Sequence, residues 1–179
     1  MNEIDYLCNT IDLNNVKEGY EFERHFYRAF NKLKDQRFTR KIWNWDDDQQ
    51  TIRFKIPNDQ ISIYNFKNDR EENVIYIGAI YNRNYCQFDK FGFDSPKEAG
   101  NYVEVLTLFS TLHFDGNLFN LERVFLKEFC YDQAKLKGAD SVIATCSPLL
   151  LKLYLKWNFR VTDTLENEYG TRHLIQMDL

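Results

Sequence analysis

The spacing of apolar and polar positions changes along the chain, and each change marks an element. From about Asn15 to Lys34 the apolar residues Val16, Tyr20, Phe26, Phe30 and Leu33 recur at spacings of three to six, with Tyr27 beside them. That pattern predicts an amphipathic helix. Arg37–Gln50 is polar, carries Trp43 and Trp45 ahead of the acidic run Asp46–Asp48, and reads as a loop or short helix. Alternation with a period of two follows in Thr51–Ile56 and Ile61–Phe66, split by the turn sequence Pro57-Asn58-Asp59. After the polar stretch Lys67–Glu72 comes the β-branched and aromatic run Val74–Tyr81, with a further short strand expected within Tyr85–Phe93. This block predicts an antiparallel meander.

The last part of the chain has a different rhythm. Tyr102–Phe109 is a strongly apolar strand, followed by the loop Ser110–Gly116. Leu118–Lys137 carries Leu121, Phe125, Phe129 and Leu136 at helical spacing, with Val124 and Ala134 beside them, and Gly138 is placed to cap it. Ser141–Thr145 reads as a buried strand. Ser147-Pro148 opens a helix that runs to about Trp157, with a hydroxyl at the cap and proline at the first helical position. Arg160–Leu165 and Thr171–Leu179 close the chain as strands. The order implies a mixed sheet with helices packed on it, an α/β (α+β) fold in one domain spanning residues 1–179.

Composition narrows the function classes. With 179 residues the chain has room for a full core, and aromatic residues at 16% predict a ring-rich one. A net charge of −4 leaves no basic footprint for duplex nucleic acid. Arg24, Arg28, Lys32 and Lys34 fall on one helical stretch, but acidic neighbours make it a solvated face. Cys8, Cys86, Cys130 and Cys146 stand far apart and the three histidines are equally scattered, so reduced packing thiols and no metal site are expected. Met1–Thr10 lacks the apolar stretch of a signal peptide, and the longest apolar run, near Leu149–Leu155, is broken by Lys152. A cytoplasmic protein with no membrane span is expected.

From Glu104 onward the chain resembles the GNAT acyltransferase superfamily. The segment from Ser147 through Tyr154 to Asn158-Phe159 resembles the family's N-x-x-A-x-x-x-Y-x-x-x-G-F motif, with Ser147 in place of the usual asparagine. Lys137-Gly138-Ala139-Asp140 resembles the end of its central helix, and His173–Leu179 its last strand. The resemblance implies transfer of an acyl group from acetyl-CoA or another acyl-CoA to an amine, on a mostly antiparallel sheet flanked by helices. It implies that the donor enters where the Tyr102–Phe109 strand splays from Ser141–Thr145, with the backbone of Leu108, Phe109 and Ser110 binding the pantetheine arm.

Amine acylation needs a proton acceptor for the amine and a proton donor for the departing thiolate. Glu104 shares a strand face with Leu106 and Leu108, where desolvation raises a carboxyl pKa, and it matches the glutamate base of those family members that use one. Tyr154 sits at the family's tyrosine position, where the phenol serves as the acid. The alternative for Glu104 is a paired or solvated strand-end residue; for Tyr154 it is packing against Leu150, Leu151 and Trp157. Ser147 reads as a helix cap.

The family's Q/R-x-x-G-x-G/A phosphate loop aligns with Asn117, Leu118, Phe119, Asn120, Leu121 and Glu122, which lack its arginine and glycines. Helix N-terminal amides remain as anion ligands, with Arg123 or Lys127 as compensating cations. The acceptor is expected to be a small molecule or a peptide amine, and a homodimer is compatible with the aromatic content. Two other readings stay open: a non-catalytic binding module on this fold, and an acyltransferase fed by an acyl carrier protein.

Overall fold

The computed structural model describes residues 6–68, 74–94, 96, 100–111 and 118–179. The strands are β1 (Tyr6–Ile11), β2 (Trp43–Asp46), β3 (Thr51–Phe54), β4 (Ser62–Asn68), β5 (Val74–Ile80), β6 (Tyr102–Ser110), β7 (Ser141–Cys146), β8 (Arg160–Asn167) and β9 (Gly170–Asp178). The helices are α1 (Val16–Phe30), α2 (Arg37–Ile42), α3, which begins at Leu118–Arg123 and continues as a π-helix over Val124–Ala134, and α4 (Pro148–Lys156). Seven strands form one sheet in the order β1-β4-β5-β6-β7-β9-β8, while β2 and β3 form a separate hairpin. The predicted mixed, mostly antiparallel sheet with flanking helices is therefore present. Among the pairings described strand by strand, β6–β7 alone is parallel.

By contacts the chain divides into two compact units, residues up to 78 with 107–115, and residues 79–106 with 116–179. The first has an aromatic core. Phe26 of α1 stacks on Phe109 at 5.5 Å and meets Phe54 at 5.0 Å and Trp43 at 4.6 Å, and Phe22 meets Tyr76 edge-on at 5.4 Å. Asn15 caps α1, accepting from the N–H groups of Lys17 and Glu18. The face that packs is Gly19, Phe22, Phe26 and Tyr27, while the expected stripe residues Val16, Tyr20 and Leu33 are exposed. Gly19 is required there because a Cβ would stand 2.9 Å from the Leu13 carbonyl oxygen.

One strand was not expected in this unit, and two expectations are refined. Tyr6–Ile11 is a strand, paired with β4, whose half-exposed residues give no clean alternation. Arg37–Gln50 contains both α2 and β2. Thr51–Phe54 pairs with Trp43–Asp46 and so lies outside the predicted meander.

In the second unit Phe125 of α3 packs on Phe129, Trp157 and Phe159. The π-helical stretch accounts for one misplaced residue. With hydrogen bonds reaching five residues back, the buried positions repeat by five, as Val124, Phe129 and Ala134 and as Phe125 and Cys130. Leu136, part of the stripe under an α-helical period, is 83% exposed.

Left-handed backbone closes both helices of this unit. Gly138 (φ 82) follows α3, with the Ala139 N–H donating to the Ala134 carbonyl. Asn158 (φ 64) follows α4, with the Phe159 N–H donating to the Tyr154 carbonyl. Asparagine is among the few residues that tolerate this conformation, so Asn158 fills the role of the glycine in Y-x-x-x-G-F. Nothing lies within 4 Å of a Cβ built on Gly138, so a substitution there reports backbone strain alone. Gly138→Ala is expected to lower the unfolding free energy by about 1–2 kcal/mol, measured by urea denaturation.

Candidate active site

The four-residue ladder between β6 and β7 positions Glu104. It runs from Tyr102 opposite Ser141 to Val105 opposite Ala144, and sets Glu104 opposite Ile143. The glutamate side chain is 2% exposed. The segment Cys86–Phe88 closes on it: the Gln87 N–H donates to Oε2, and the Cys86 thiol and the Phe88 N–H also donate to the carboxyl group. Burial dominates and pushes the Glu104 pKa up to about 8, against the pull of these three donors, with Asp89 adding a small push. Burial and the neighbouring carboxylate together raise the Cys86 thiol well above its ordinary range.

Tyr85–Phe93, expected as a strand, forms two short 3₁₀ turns, Arg83–Tyr85 and Phe88–Phe91. The N–H groups of Gln87 and Phe88 are directed to a side chain and not to a neighbouring strand. No local sequence signal marks Cys86 and Gln87 as partners of Glu104, because Gln87 and Phe88 reach it through backbone groups that any residue carries.

Tyr154 lies on α4, half-buried, with its ring edge-on to Trp157 at 5.5 Å and to Phe159 at 5.3 Å. Burial, with Cys146 and Cys130 beside it, raises its phenol above the ordinary tyrosine value, so it holds its proton at neutral pH. Its hydroxyl makes no hydrogen bond with a described residue. Burial pushes the Cys146 thiol up to about 11 against the pull of Arg172, so it is no thiolate at neutral pH.

Strand geometry relates the two residues. Cys146 is three positions beyond Ile143 on β7, about 10 Å along the strand, and an odd offset puts the two on opposite faces. Glu104 therefore shares the Ile143 face of the sheet, and Cys146, whose thiol raises the Tyr154 pKa, lies on the other.

The other expected site residues are more dispersed. Leu108 and Ser110 are half-buried and Phe109 is 4% exposed. Asn117 lies outside the described residues, and Leu118, Phe119 and Asn120 are described as helical backbone only. Leu121 is buried and Glu122 exposed, while the Arg123 guanidinium stands 3.8 Å from Glu128. Ser147 occupies the N-cap of α4, but its hydroxyl makes no capping bond; the Leu150 and Leu151 N–H groups meet its backbone carbonyl instead. The hydroxyl cap predicted for Ser147 is corrected accordingly. A cavity of about 260 Å³, lined by Tyr81, Arg83, Asn101, Tyr102 and Lys137–Ala139, holds none of the expected site residues. No cluster able to hold a metal occurs among the described residues, and no helix among them is long and apolar enough to cross a membrane.

No family model matches the sequence, and no curated protein matches it. Solved structures do match. The CoA-dependent acyl-homoserine lactone synthase BjaI, with SAM and isopentyl-CoA, superposes with a TM-score of 0.67 at 14% identity, over 98% of this chain and 83% of that one. TofI, in a ternary complex with an inhibitor and MTA, gives 0.66 at 11% identity, over 98% and 91%. The aminoglycoside acetyltransferase AAC(6')-Ib, with coenzyme A, gives 0.58 at 10% identity, over 97% and 95%. The fold is that of the GNAT acyltransferases.

The Glu104 pKa makes stability depend on pH. Its folded value, about 8, lies above the ordinary 4.5, so the stability supplied by the neutral carboxyl is full below 4.5 and is lost as pH rises through about 8. Relative to Glu104→Gln, the wild-type protein is expected to lose stability between pH 5.5 and 8.5, read from urea midpoints at the two pH values.

Proposed function

We propose that this protein is an N-acyltransferase that moves an acetyl or longer acyl group from coenzyme A to an amine, on a small molecule or a peptide. The single observation that carries the reading is the buried Glu104 carboxyl on β6, held by Cys86–Phe88 with its pKa near 8, on a GNAT fold whose α4 presents Tyr154. Supporting it, BjaI and AAC(6')-Ib carry CoA ligands on the same fold.

Glu104 is the proton acceptor for the amine, and Tyr154 protonates the departing thiolate. The backbone of Leu108, Phe109 and Ser110 is assigned to the pantetheine arm. Asn117, Leu118, Phe119, Asn120 and Leu121 are assigned to the phosphates, with Ser147 at the start of α4 also on the donor side. A second reading, a binding module without catalysis, is favoured by the missing glycines of that phosphate segment and by the proximity of Arg123 to Glu128.

Turnover with acyl-CoA and a panel of amines tests the proposal. A general base contributes about 10²–10⁴-fold, so Glu104→Gln is expected to lower kcat by at least about 10²-fold, and Tyr154→Phe by a comparable factor. Because Glu104 acts as the anion, kcat/KM of the wild type rises with pH and levels above about 8, a rise that the Gln variant lacks. Full turnover in the double variant would eliminate both roles.

A further inference from the structure

The cavity of about 260 Å³ beside the Gly138 turn has no role so far, and all of its lining belongs to the second unit. Three chain segments meet there: Tyr81 and Arg83 after β5, Asn101 and Tyr102 at the start of β6, and Lys137–Ala139 between α3 and β7. Its two cations are stacked on rings that line the same cavity. The Arg83 guanidinium carbon lies 4.6 Å from the centre of the Tyr102 ring, and the Lys137 ammonium nitrogen lies 4.8 Å from that of Tyr81. Stacking restrains a long side chain without neutralising it, because the ring carries a quadrupole and no net charge. Two positive charges therefore border one hollow. The space over Gly138 is open, with nothing within 4 Å of a Cβ built there.

Helix electrostatics account for only one of these cations. Lys137 follows the last turn of α3, where a positive charge complements the partial negative charge of the helix C-terminus. Arg83 stands on a different element, the Arg83–Tyr85 turn, which that explanation does not reach. The same helix end repels an anion, so anion affinity in this cavity has to come from the two side chains, with the Asn101 carboxamide as a further donor. Asp140 borders the same turn, and its carboxylate accepts the Asn101 backbone N–H at 2.9 Å.

We infer that this cavity binds the phosphate group of a small phosphate monoester between Arg83 and Lys137. Arginine presents a planar fork of donors and lysine a compact charge, and both suit phosphate oxygens. Size favours an ester over the free ion. At about 30 Å³ per water the cavity has room for roughly nine waters, more than a five-atom phosphate ion fills. It is also smaller than the roughly 300–1,000 Å³ of pockets for drug-sized ligands, so the ester is compact, of the size of a phosphorylated sugar. The segment assigned above to the donor phosphates opens α3, whereas this cavity lies beyond the other end of that helix, on the order of 20 Å away. The site is therefore distinct from that of the acyl donor, and it stands whether or not the protein transfers acyl groups.

Amide NMR of the wild-type protein, titrated with ribose 5-phosphate, tests the inference without any variant. The expected result is saturable shifts centred on Arg83, Asn101, Gly138 and Ala139, with a micromolar to low-millimolar dissociation constant, and none from ribose. Arg83→Met and Lys137→Met, each at an exposed position, are expected to weaken binding by at least about 10-fold, the scale of one charged hydrogen bond. Shifts centred on Leu118–Leu121 instead place the phosphate at the donor segment and overturn the inference. So does the absence of shifts at about 10 mM ligand, or binding that both variants retain in full. Inorganic phosphate binding as tightly as the ester overturns the assignment to a monoester.

Discussion

The parallel pairing of β6 with β7 is the constraint on which the second half of the molecule depends. Parallel neighbours cannot be joined by a hairpin; the chain must travel back along the sheet before the second strand begins. Here α3 makes that return journey, and Gly138 provides the left-handed turn that feeds β7. The same ladder puts Glu104 opposite Ile143 and sets the phase of every later residue of β7, including Cys146. The register therefore places Glu104 and Cys146 on opposite faces of the sheet.

Burial then gives the chemistry its character. A solvated glutamate would be fully ionised at neutral pH and a weak base. Withdrawn from water on β6, Glu104 has its pKa carried to about 8, while the donors of Cys86–Phe88 keep the charged form within reach. The phenol of Tyr154 is moved upward by burial too, so it holds its proton at neutral pH. One physical effect, desolvation, favours the neutral form of both groups.

The fold was legible in the sequence where period and capping signals agreed. Gly138, Ser147-Pro148 and the apolar strands Tyr102–Phe109 and Ser141–Thr145 marked the β-α-β-α order, and Glu104 stood out as a carboxylate on an apolar strand. The signals failed where tertiary contacts set the local structure. Phe22 was hidden because the α1 stripe was traced through Val16 and Tyr20, which face solvent. Leu136 matched an α-helical stripe, but the stretch before it winds as a π-helix and Leu136 itself lies in the turn beyond. Cys86–Phe88 looked like part of a strand because its residues are apolar enough for one; its N–H groups serve a glutamate that lies well downstream in sequence. Such a pairing leaves no periodic trace. Ser147 has the residue type of a cap, but its hydroxyl makes no capping bond.

The most direct test of acyl-CoA as donor is isothermal titration of the purified protein with acetyl-CoA and with CoA. The account predicts binding of both, with a dissociation constant in the micromolar range, despite the missing glycines between Asn117 and Glu122. Absence of heat at millimolar ligand would contradict it and leave the GNAT fold here without its usual donor.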